Sequence, residues 1–138
     1  MAARSEVSVG AALEPTWRRL GHIERLGPDW DSYGAKPPAP AAVDAARRVI
    51  ETVHSTFGPI AADQACPYTV APMVDGGIQV EWRGPGGAIE VEVGPDATIG
   101  YLLERQVGTT EETGEGDDLA EPQILRLVGS VVAPTTAH

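Results

Sequence analysis

A chain of 138 residues with a formal net charge of −10 and a single cysteine fits one domain, residues 1–138, long enough to bury a core of its own. That charge argues against docking on nucleic-acid phosphates or an anionic membrane, because the basic residues cluster no further than the pairs Arg18-Arg19 and Arg47-Arg48. Cys66 alone excludes an internal disulfide and a multi-cysteine zinc site, and with no bilayer-length apolar run and no secretory leader the composition predicts a cytoplasmic protein.

In chain order, residues 1–10 carry little pattern and are expected to fray. Leu13, Trp17, Leu20 and Ile23 recur at helical spacing and predict a helix over about 11–26, stopped by Gly27-Pro28 with glycine as a left-handed cap. A polar loop, Trp30 to Pro38, follows. The second helix is expected from about Pro40 to Phe57, with Val43, Ala46, Ile50, Val53 and Phe57 as its apolar stripe. Asp44, Arg47, Glu51 and His54 should face solvent.

The period then changes to two. Tyr68 to Val74 reads as a first strand, demoted to an edge or a bulge by Pro72. Asp75-Gly76-Gly77 predicts a tight turn into a second strand, where Ile78, Val80 and Trp82 alternate with Gln79, Glu81 and Arg83. Ile89, Val91 and Val93 continue the pattern in a third strand, and Ile99, Tyr101 and Leu103 in a fourth. Residues 108–118 are acidic and lack any apolar side chain, which predicts a mobile surface loop. A last helix is expected over about 119–132, and residues 133–138 should be a loose tail. The resulting fold class is α+β: two N-terminal helices, a three- to four-stranded antiparallel meander, and a C-terminal helix packed on one sheet face.

Catalytic patterns are sparse. There is no Gly-x-Ser-x-Gly elbow, no His-x-x-x-His or Cys-x-x-Cys spacing and no Gly-x-x-x-x-Gly-Lys loop. Cys66, before Pro67, reads as a small buried hydrophobe, and His22 and His54 as surface or boundary residues on helices. The stretch Gly114 to Asp118 lacks the spacing and closing glutamate of an EF-hand. What remains are Glu81, Glu90 and Glu92, expected to share the solvent face of adjacent strands, where crowding raises a carboxyl pKa and Arg83 is available to pair across strands. Asp29 and Asp31 flank Trp30 and read first as turn and cap residues. Trp17 and Trp82 belong to the core; Trp30 and Tyr33 are expected to fold back and fasten the loop, their polar atoms bonded to backbone, the alternative being an exposed pair that anchors a partner.

Trp30-Asp-Ser-Tyr-Gly-Ala35, with Pro37 and Pro38, and Asp75-Gly-Gly-Ile-Gln-Val-Glu-Trp82 together resemble a group of small uncharacterised bacterial proteins with a Trp-(Asp/Asn)-Ser-Tyr-Gly-Ala loop and an Asp-Gly-Gly-Ile-x-x-Glu-Trp strand. The likeness covers roughly residues 27–103. It departs at Asp29, where the group has glycine directly before the tryptophan. No activity is established for the group, so the resemblance implies no catalytic residue; it implies that the loop and the Asp75–Trp82 strand touch. The expected function is a small acidic binding or accessory module acting on another protein, with no cofactor, no metal and no catalytic residue. Trp30, Asp31, Tyr33, Gly34, Lys36, Asp75, Gln79 and Glu81 are its candidate binding residues, and self-association is left open. The alternatives are a small acid/base or metal-assisted hydrolase using the sheet carboxylates, and an acidic inhibitor or nucleic-acid mimic.

Overall fold

The structure, a computed structural model, describes residues 2–107 and 109–134, the side chains of 2–10, 106 and 107 excepted. Three helices, α1 (Ala2–Glu24), α2 (Pro40–Phe57) and α3 (Glu121–Val132), and five strands, β1 (Thr69–Pro72), β2 (Ile78–Gly84), β3 (Gly87–Val93), β4 (Ile99–Val107) and β5 (Thr110–Gly116), follow in the order α1-α2-β1-β2-β3-β4-β5-α3. All strand pairs are antiparallel and the sheet order is β1-β2-β3-β4-β5. The fold is α+β, with two corrections to the sequence-based layout. The sheet has a fifth strand where the acidic composition predicts a loop, and α1 begins at Ala2 instead of near Ala11. Part of the expected C-terminal tail, 135–138, lies outside the described residues.

Alternation builds the core. Ile78, Val80 and Trp82 on β2 and Ile89, Val91 and Val93 on β3 are all buried on one face. They join Leu13, Leu20 and Ile23 of α1, Val43, Ala46, Ile50 and Val53 of α2, and Ile124, Val128 and Val131 of α3 in one cluster. The helices α2 and α3 lie on β2 and β3, and α1 lies against β1. Trp17 packs on the edge of this cluster and is half-buried.

Local chemistry sets the boundaries. Pro40 opens α2 in its first turn, where a missing N–H leaves no helical bond unmade. At α3 the N–H of Ala120 donates to Gln123 Oε1 at 2.8 Å, which satisfies one of the donors a helix start leaves free. The expected left-handed Gly27 does not occur; the positive φ after α1 falls on Asp29, at 61°. His54 is buried, not solvent-facing. The helix ends before Gly58, whose N–H donates to His54 O at 2.8 Å, and a Cβ at Gly58 would stand 3.4 Å from the imidazole.

β5 has no apolar side chain to recommend it as a strand. It is held by its ladder to β4 and by the Tyr101 ring, which lies across Gly114 and Gly116. The ring supplies the packing surface that those two glycines lack.

Candidate functional site

The Trp30 loop is shaped by its own aspartates. Asp29 adopts φ 61°, Ser32 66° and Gly34 86°, so the backbone reverses tightly. Asp31 Oδ1 accepts from the N–H of Tyr33 at 2.9 Å and of Ala35 at 3.0 Å. Asp29 Oδ1 accepts from Gly34 N–H at 2.6 Å, and Asp29 N–H donates to Ala35 O at 2.8 Å. The Tyr33 N–H first, and then that of Ala35, hold the Asp31 carboxyl below its ordinary value of 3.8. A lowered folded pKa means this contribution is complete above that ordinary value and is lost only as pH falls through the lowered one.

Trp30 and Tyr33 part company in this loop. The Trp30 indole N–H donates to Lys36 O at 2.8 Å and the ring is half-buried. Tyr33, expected to fold back, is 92% exposed instead. The reason is the run of positive φ around it, which aims its side chain away from the body while its N–H is turned inward to Asp31.

The loop docks on the β1–β2 turn. Lys36 N–H donates to Val74 O at 2.9 Å, and Ala39 N–H to Gly76 O at 2.8 Å. Gly76, at φ 94°, brings its backbone against Pro37 O, where a Cβ would stand only 3.1 Å away. Of the candidate residues, Trp30, Asp31, Tyr33, Gly34 and Lys36 therefore form one unit with the Asp75 turn. Val74, which the sequence does not single out, is exposed at that turn.

Gln79 and Glu81 belong to a second surface, the outer face of the sheet. Register sets Gln79 opposite Glu92, Glu81 opposite Glu90, Glu90 opposite Leu102 and Glu104 opposite Thr113. Glu81 is buried and pairs with Arg83 two residues on along its own strand, Nε to Oε2 at 2.5 Å, so the expected pairing across strands gives way to one within β2. The Arg83 guanidinium also lies 3.7 Å over the Tyr68 ring. Glu81, Arg83, Glu90, Leu102 and Glu104 rim an open depression of about 520 Å³. A smaller cleft of about 270 Å³ joins the two surfaces, because Asp75 of the turn and Glu92 of the outer face both line it, with Asp117 and Asp118.

Burial, and then the charges of Glu81, Glu92 and Glu104, raise the Glu90 carboxyl above its ordinary 4.5. The folded chain thus holds that proton more tightly than the unfolded chain does. Ionisation opposes folding fully above the raised value, and the opposition vanishes below 4.5. Glu90→Gln should therefore raise stability near neutral pH, on the order of 0.5 kcal/mol after solvent screening. Thermal melts of both proteins at neutral and at strongly acid pH check this: the gain should disappear in acid.

Cys66 is half-buried, with its Sγ 3.6 Å from Ala12 O, and burial raises its pKa, which leaves a thiol and not a reactive thiolate. Among the described residues no group of three or more His, Cys, Asp or Glu side chains is arranged to hold a metal ion, and no helix is long and apolar enough to cross a membrane. No protein-family model, no curated protein and no solved structure matches the chain.

Proposed function

We propose that this chain is a non-enzymatic binding module that engages another protein through the Trp30–Lys36 loop, with Tyr33 as the anchor. The observation that carries the reading is a tyrosine 92% exposed on a loop whose backbone is pinned at both ends and in the middle. Large aromatics left in water are a liability, and at interfaces they supply most of the binding energy. A loop already locked in shape loses little entropy when it binds. Exposed Val74, on the turn the loop docks against, adds apolar area.

Two candidate chemical groups are otherwise engaged. The Asp31 carboxylate is occupied by backbone amides, and Glu81 is occupied by Arg83. Glu90 is the specific observation favouring the rival acid/base reading, since its raised pKa and open depression suit a proton donor. The test uses the purified protein as bait in a lysate of its native source, at low and high salt. Tyr33→Ala should change the unfolding free energy by no more than about 0.5 kcal/mol yet remove a protein that the parent captures. Retention of the same partner by Tyr33→Ala, with loss of biological activity in Glu90→Gln, would favour the enzyme.

A further inference from the structure

The two edges of the sheet are treated differently. β1 is four residues long, contains Pro72 and is flanked by α1. Arg19 of α1 reaches over it and donates from Nε to Val70 O at 3.1 Å, occupying an edge carbonyl. That edge is closed to another strand. At the other end β5 runs seven residues, Thr110 to Gly116, with no proline, and among the described residues it pairs with β4 alone. In an antiparallel ladder alternate residues turn their N–H and C=O away from the partner, so β5 presents an unpaired row of both.

Charge decides what that row accepts. Glu111, Glu112 and Glu115 are exposed and β5 has no basic residue. On β4 the one basic residue, Arg105, is set by register opposite Glu112. Two copies of β5 paired antiparallel about Thr113 would place Glu111 opposite Glu115 twice over, which like charges oppose. The acidity that guards this edge against copies of itself favours a cationic strand. Such a strand would set alternate side chains beside Glu111 and Glu115 on the face that carries Glu104.

From this contrast we propose that β5 is a docking edge for an extended segment of a partner protein bearing lysine or arginine at alternate positions, added as a sixth strand. Main-chain hydrogen bonds would supply the adhesion and the glutamates the selection. This surface is distinct from the Tyr33 loop, so Tyr33→Ala should leave the interaction unchanged and each reading fails separately.

The probe is a synthetic peptide matching β5 in length and alternating lysine with threonine, titrated against the whole chain. Amide hydrogen exchange of β5 should slow on binding. A peptide of the same sequence with alternate backbone amides N-methylated keeps every charge but loses its donors, and should bind at least about tenfold more weakly. The double charge reversal Glu111→Lys with Glu115→Lys, both exposed, should shift preference to the glutamate–threonine counterpart. Equal binding of methylated and unmethylated peptides would overturn the proposal, leaving only diffuse attraction between charges. So would exchange protection confined to the Glu81–Glu90 depression, loss of peptide binding in Tyr33→Ala, or peptide-free dimerisation that protects β5.

Discussion

Trp82→Ala should be the most destabilising single substitution in the sheet, by about 3–5 kcal/mol, visible as a fall in Tm of roughly 10 °C or more. Trp82 on β2 is 0% exposed, and its indole N–H donates to Ala65 O at 3.1 Å. Truncation removes the largest buried side chain from a core otherwise made of valine, isoleucine, leucine and alanine. Small aliphatic neighbours cannot reach across the void, so most of the lost packing stays lost. It also strands the Ala65 carbonyl, which ties the 60–66 connection to the sheet. Trp82→Phe separates the two effects: it keeps most of the packing, loses the hydrogen bond, and should cost only about 1–2 kcal/mol. Chemical denaturation of both variants checks the ranking, and equal losses would show that the hydrogen bond outweighs the volume.

Gly87→Ala is expected to lose about 3 kcal/mol or more, for a different reason. Gly87 stands at φ 131°, a conformation that residues with a Cβ rarely adopt, and its Cβ would be driven into the Glu104 carbonyl of the neighbouring strand. The turn is held on its other side by α3, because the Gly86 N–H donates to Val131 O at 3.0 Å. Strain and overlap therefore add. Gly27→Ala is the control: a Cβ there meets nothing within 4 Å, and its unfolding free energy should stay within about 0.5 kcal/mol of the parent. Comparable losses at Gly27 and Gly87 would refute this account of the turn.

Part of the candidate site is legible in the order of residues alone. The spacing of turn residues sets Trp30 to Lys36 in one loop, and the resemblance names the Asp75 turn as its neighbour. Side-chain type, however, gives Trp30 and Tyr33 one fate. Their separation depends on positive φ at Asp29, Ser32 and Gly34, and two of those three residues have side chains that give little sign of it. Alternation places Gln79 and Glu81 correctly on the outer face, but the burial of Glu81 under its contact with Arg83 is not legible. A period of two says which face a residue takes; it says nothing about how deeply that face is shielded.

The helix α2, from Pro40 to Phe57, and the three central strands of the sheet are readable in the order of residues. In both cases the signal is local: a proline that opens the helix, a Gly-Pro that ends it, and apolar residues at one period between turn glycines. β5, the hydrogen bonds by which the Trp30 loop seats on the Val74–Gly76 turn, and the contrast between the two sheet edges come from the folded arrangement. Those features rest on backbone hydrogen bonds and on the Tyr101 ring over Gly114 and Gly116, contacts between residues far apart or without side chains. Backbone groups are alike at every position, so partners chosen through them leave no mark in the order of the side chains.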